Sequence, residues 1–222
     1  TFRKGAFKLI NNQLIKDSLL DHIYEPTRVI ATEKNEWIII ANGGLYKWNG
    51  AVPRQLLIQS GQEPAKEIDQ AIYLNGQLIY FKQAENILRI MRLDNGAITS
   101  SLAGQRTEAI TGNSSGNIFV KLGGQWLQLN PTALRNGQLL TEPLSFAAAI
   151  PKHFHIDQLY VTGDHIWIQD QTNGFLLLDT QTGITEFYPA TGSIDAGANI
   201  VFGDLTNNFW ISSFNKKVQK VF

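Results

Sequence analysis

The 222 residues are 43% apolar and 17% charged, with 19 basic against 19 acidic side chains; such a composition supports a globular core and excludes a disordered chain. A formal net charge of zero, with no basic stripe, argues against a nucleic-acid binder. The absence of cysteine excludes disulfides, thiolate metal sites and a cysteine nucleophile, and no apolar run reaches the roughly 18 residues of a membrane-spanning helix.

Along the chain, the pattern predicts strands almost throughout, since helical periodicity never persists for three turns. Residues 6–11 and 13–17 read as a first strand pair. A four-strand unit then recurs. Its inner strand a falls at 28–32, 69–74, 107–111, 156–161 and 199–202. Short turns follow, such as Asn75-Gly76, Ser115-Gly116 and Gly163-Asp164, whose residues accept the positive φ of hairpin turns. Strand b carries the shared motif: Asn35-Glu36-Trp37-Ile38-Ile39, Gly76-Gln77-Leu78-Ile79-Tyr80, Gly116-Asn117-Ile118-Phe119-Val120, Asp164-His165-Ile166-Trp167-Ile168 and Asn207-Asn208-Phe209-Trp210-Ile211. Strand c is expected at 45–48, 87–93, 125–130, 175–179 and 217–222, and an outer strand d at 54–59 and 184–188.

With Trp37, Ile79, Phe119, Trp167 and Trp210 taken as equivalent, the motif recurs roughly every 40 to 48 residues, the period of a propeller blade. The fold class is therefore all-β: a β-propeller of four-stranded antiparallel blades, about five in number, or a fragment of a seven-bladed one. Residues 1–222 are read as a single propeller domain. Its N-terminal strands would complete the C-terminal blade and close the ring, because an open stack leaves apolar surface unpaired at both ends. Thr1 carries no signal-peptide pattern, which fits a mature fragment whose targeting segment and neighbours lie outside it.

Two stretches, Asn35 to Trp48 and Asp164 to Asp179, with Gly43-Gly44-Leu45-Tyr46 and Gly174-Phe175-Leu176 inside them, resemble the two-component regulator propeller repeat. That repeat reads turn-Gly-x-hydrophobic-Trp-hydrophobic-Gly-Thr, then Gly-Leu, then an aromatic and Asp. Ile79 and Phe119 replace the tryptophan in repeats two and three, and Ala41-Asn42 and Ser212-Ser213 stand where Gly-Thr is usual. The resemblance implies a periplasmic or extracellular sensor domain. It also implies a membrane tether and a histidine kinase or diguanylate cyclase output outside this chain, and an unknown small-molecule or protein ligand. A homodimer is compatible with that role, and the cysteine-free chain suits an oxidising compartment. A second similarity, to streptogramin lyase-like propellers, makes an enzyme of lyase or lactonase type the alternative. The histidine and carboxylate placement that those enzymes need is not identifiable.

Longer loops on one rim of a propeller carry function, and here the d-to-a connections at 19–27, 60–67, 148–155 and 190–198 are long. They nominate His22, Tyr24, Glu63, Lys66, His153, His155 and Asp195 as ligand-facing residues. In an extended His153-Phe154-His155 both imidazoles point to one side, yet no acidic residue stands at ligand spacing, so no metal is assigned and no cofactor is expected. Trp37, Trp167 and Trp210 are assigned to packing between blades. Trp48 and Trp126 are candidates for stacking on neighbouring blades or for a sugar platform. Asn113-Ser114-Ser115 matches a glycosylation sequon but falls in a hairpin turn. Lys216, Lys217 and Lys220 read as the solvated face of an edge strand. The Gly-x-Ser-x-Gly elbow, the Walker loop and His-Glu-x-x-His are all missing, so the residues point to binding rather than catalysis.

Overall fold

The computed structural model describes residues 7–10, 13–16, 23, 26–32, 36–41, 44–56, 68–113, 115–183, 185–189, 199–203, 209–212 and 219–220. The chain divides into two compact units, one of Thr1–Ile110 with Thr132–Leu140, the other of Thr111–Pro131 with Thr141–Phe222.

In the first unit β1 (Phe7–Ile10) and β2 (Gln13–Lys16) pair as a hairpin. A four-stranded meander follows, β3 (Pro26–Ala31), β4 (Trp37–Ala41), β5 (Gly44–Trp48) and β6 (Arg54–Leu56), then a second, β7 (Gln70–Leu74), β8 (Gln77–Lys82), β9 (Ile87–Arg92) and β10 (Ile98–Ala103). Each sheet runs a-b-c-d with antiparallel neighbours, the arrangement of a propeller blade. The turn at Asn75-Gly76 takes φ of 48° and 75°, the left-handed pair that matches the twist of a two-residue hairpin. Between the two blades lies a core of Ile38, Ile40, Leu45, Ala71, Leu78, Tyr80 and Met91. Fully burying an Ile or Leu side chain contributes about 1.5–3 kcal/mol, so this face sets the stacking of the pair.

A third meander comprises β11 (Thr107–Gly112), β12 (Ile118–Leu122), β13 (Gln125–Leu129) and β14 (Thr141–Glu142), and the unit boundary falls within β11. Helix α1 (Pro131–Arg135) is inserted between β13 and β14. This insertion accounts for the long spacing between the third and fourth repeats. The segment after it is tied back to β10, with the Leu139 N–H donating to Ser100 Oγ at 3.1 Å. The fourth blade is β15 (Gln158–Thr162), β16 (His165–Asp170), β17 (Gly174–Asp179) and β18 (Thr185–Pro189), and a three-stranded sheet of β19 (Asn199–Gly203), β20 (Phe209–Ser212) and β21 (Gln219–Lys220) ends the chain. Trp210 pairs in backbone register with Phe202 and Lys220; its side chain lies outside the described residues.

Strand pairing corrects one expectation. Asp170 closes on Gly174 and Trp167 stands opposite Leu177. Ala41 closes on Gly44 in the same way, with Ile38 opposite Lys47. The residue equivalent to Trp167 is therefore Ile38, while Ile79 and Phe119 stand where expected, opposite Ile90 and Gln128. Trp37 is one position out of step, and a one-residue slip turns a side chain to the other face of the sheet. Trp37 is 41% exposed, whereas Ile38 and Trp167 are fully buried. The Trp37-to-Ile40 run has no polar residue to mark alternation, so the tryptophan alone drew the alignment.

Trp167 packs against Phe175 with ring centroids 6.4 Å apart and against Tyr188 at 5.4 Å. Trp126 is 6% exposed, which rules it out as a sugar platform. The sequon residue Asn113 is committed to its turn. Its Oδ1 accepts the Ser115 and Asn117 N–H groups, and its Nδ2 donates to Gly163 O at 2.7 Å.

Candidate ligand-facing site

The nominated rim can be followed in the fourth blade. Of the nominated residues, His22, Tyr24, Glu63, Lys66 and Asp195 lie outside the described residues; His153 and His155 are both exposed. Phe154 between them is 7% exposed and meets the edge of Phe187 at 6.1 Å. Phe154 is turned inward between two exposed imidazoles, but the segment is not extended as expected: the Phe154 N–H donates to Pro151 O at 2.9 Å and closes a turn over Lys152 and His153.

Asp170, at the end of β16, fixes this segment to the loop between β16 and β17. It is 2% exposed and accepts four hydrogen bonds: from the His155 N–H at 2.7 Å, the Thr172 N–H at 2.8 Å, and the Asn173 N–H and Nδ2 at 2.9 and 2.8 Å. Burial alone would raise its carboxyl pKa. The Asn173 side chain and the three amides outweigh that and hold it at about 2, because each bond is stronger to the charged form. Asp157 adds a second tie, its carboxylate accepting the Gln171 N–H at 2.7 Å, while Lys121 Nζ donates to Asp157 O at 3.1 Å. The d-to-a and b-to-c loops of this blade therefore emerge together, which is the rim geometry that the repeat implied. Asp170 was missed at the sequence level, although Asp170-Gln171-Thr172-Asn173-Gly174 carries an Asx-turn signal.

Two cavities among the described residues open elsewhere, beside the a-to-b and c-to-d turns. In the first unit a cavity of about 530 Å³ is bordered by Thr32, Tyr73 and two ion pairs, Lys47 with Glu36 at 2.7 Å and Arg92 with Asp94 at 2.5 Å. In the second unit a cavity of about 450 Å³ lies between β12–β13 and β16–β17. Its apolar walls are Phe119, Phe146, Ile166 and Leu178, and Asn117, Gln128, Ser145 and Asp179 supply polar groups. The wall residues Ser145 and Phe146 come from the connection that leads on to His153. Asp179 is held below the ordinary carboxylate range by the Thr182 and Gln181 amides and stands 3.7 Å from His165 Nε2. Among the described residues no cluster of three or more His, Cys, Asp or Glu side chains is placed to hold a metal ion.

No family model matches the sequence, and no curated protein matches it. Solved structures do match in fold. The extracellular domain assigned to a hybrid two-component system of B. thetaiotaomicron aligns at a TM-score of 0.59 and 17% identity, over 97% of this chain and 28% of that one. A second such domain from that organism gives 0.56 at 13% identity over 87% of this chain and 29% of its own. YCF48 from Cyanidioschyzon merolae gives 0.57 at 13% over 90% and 69%. The chain thus spans less than a third of the length of the two extracellular domains. At these identities the likeness is one of fold: four-stranded antiparallel blades of a β-propeller, in keeping with the two-component regulator propeller repeat that the sequence resembles.

Proposed function

We propose that this chain is the recognition module, or part of it, of a membrane-tethered signalling protein, placed outside the cytoplasm. It binds a small molecule or a partner protein, and the change passes to an output domain beyond the chain. The observation that carries this reading is the fold shared, over nearly its whole length, with the extracellular domain of a two-component system. Its role is binding rather than catalysis, in keeping with a sequence that offers no nucleophile–base or metal motif. No helix of the described residues is long and apolar enough to cross a membrane, so the tether is sought in the flanking sequence.

The test is made on the full-length protein. Its gene should encode a membrane-spanning segment and a kinase or cyclase domain. Deleting residues 1–222 should leave basal output while abolishing its response to the inducing medium. A gene encoding only a secreted propeller, or a response that survives the deletion, sinks the reading.

A further inference from the structure

We propose that the cavity between β12–β13 and β16–β17 binds a small uncharged heteroaromatic molecule bearing an amide-like edge. This names a ligand class for the recognition role above and rests on that reading only for its signalling consequence. The floor is apolar and well buried: Phe119 and Ile166 are each 1% exposed and Leu178 is 3% exposed. Phe146 meets Phe119 edge-on at 5.5 Å and presents its ring to the space. A volume of about 450 Å³ falls within the range that small-molecule sites occupy.

The polar groups are few: Asp179 is tied into its own turn and Thr180 to Asp164 O, and Gln128 and Asn117 are the less committed pair. Gln128 is 7% exposed, and the one hydrogen bond of its side chain among the described residues is a long one, the Ser145 N–H donating to Oε1 at 3.4 Å. Its Nε2 makes no hydrogen bond within the described residues, and the residue borders the cavity. A carboxamide open to a cavity pairs there with water or with a ligand. The Asn117 side chain, on the same cavity, makes no hydrogen bond within the described residues. Gln128 stands opposite Phe119 in the strand register and Asn117 two residues before it, which puts two carboxamides on one face of the sheet, donors and acceptors that complement a ring nitrogen beside an amide or amino group.

Charge narrows the class further. No Lys or Arg lines the cavity, and Asp179 is among its wall residues, so an anion would find no counter-charge there and one like charge. A polyol would set hydroxyls against Ile166 and Leu178, where they find no partner and pay for desolvation.

The probe pair is nicotinamide and nicotinate, close in shape and different in charge, with glucose as the polyol. Amide and side-chain NMR spectra of the whole 222-residue chain are followed during titration. Nicotinamide should shift the Gln128 and Asn117 side-chain amides together with the Phe119 and Phe146 rings, and nicotinate should bind about tenfold more weakly or worse, as one lost hydrogen-bonding edge implies. Gln128→Leu should weaken nicotinamide about tenfold with the remaining spectrum unchanged. Should that variant not fold, Ala149→Trp, placed at an exposed wall position, should block binding in a folded chain. Absence of shifts at these residues up to about 10 mM nicotinamide, equal binding of nicotinate, or glucose in the cavity instead overturns the proposal. Binding without any effect on output in the full-length protein would instead count against the sensor reading alone.

Discussion

Replacing Asp170 with asparagine should destabilise the protein by about 2–3 kcal/mol at pH 7. Its carboxyl titrates at about 2 rather than 3.8, and lowering a pKa by one corresponds to about 1.4 kcal/mol in favour of the charged form. Asp170 is covered by its own turn rather than by a deep core, so solvent screening trims the electrostatic part to about 2 kcal/mol. The amide adds a second cost. Its NH₂ replaces an acceptor oxygen facing the N–H groups of His155, Thr172 and Asn173, which leaves a covered donor unpaired at about 1 kcal/mol. The sign of the pH dependence follows from a folded pKa below the unfolded one. The stabilisation is full above about pH 4 and is lost as the pH falls through about 2. Urea unfolding at pH 7, 5 and 3, followed by tryptophan fluorescence, reads both effects. The gap between the wild-type protein and Asp170→Asn should be equal at pH 7 and 5 and narrower at pH 3. Equal midpoints at pH 7, or a gap indifferent to pH, would refute the reasoning.

Trp167→Ala should cost about 3–5 kcal/mol and Ile38→Ala about 2–5, as for fully buried core positions, whereas Trp37→Ala should cost under about 1 kcal/mol; thermal melts that rank Trp37 with Trp167 would restore the original alignment. Gly112→Ala should destabilise by about 1–3 kcal/mol, since a Cβ there would meet Asn117 O at 2.6 Å and Ile118 Cα at 3.0 Å, backbone atoms that cannot step aside. Unchanged urea stability in that variant would mean that the β11–β12 turn opens freely. The double variant His153→Ala, His155→Ala should melt with the wild-type protein, both side chains being exposed, and should weaken capture of whatever partner the d-to-a rim engages; a large loss of stability would show that the imidazoles are structural.

The blade pattern was legible because it is written redundantly. Motifs such as Asp164 to Ile168 alternate faces, and turns such as Asn75-Gly76 state their own geometry. Where alternation stops, so does legibility: in Trp37-Ile38-Ile39-Ile40 every residue is apolar, and only the pairing of Ala41 with Gly44 sets the register. Helix α1 was missed because Pro131–Arg135 is a single turn, too short for a periodic signal. The second cavity was illegible for a different reason. Gln128 reads as an ordinary polar position on strand c, and Ser145 and Phe146, which border the cavity with it, lie a strand and a helix away in sequence. His153 and His155 were readable as exposed, but the anchor of their segment, Asp170, acts through a carboxylate whose partners are mostly backbone amides, and the residue types there say little about which amides it holds.

The most direct test of the account asks on which side of the membrane this chain resides in the full-length protein. Because the 222 residues contain no cysteine, a single Val52→Cys, at a position 70% exposed, supplies one reporter in a protein whose other cysteines have been replaced. A membrane-impermeant maleimide should label it in cells whose inner membrane is intact. Labelling only after lysis would place the propeller in the cytoplasm and contradict the account.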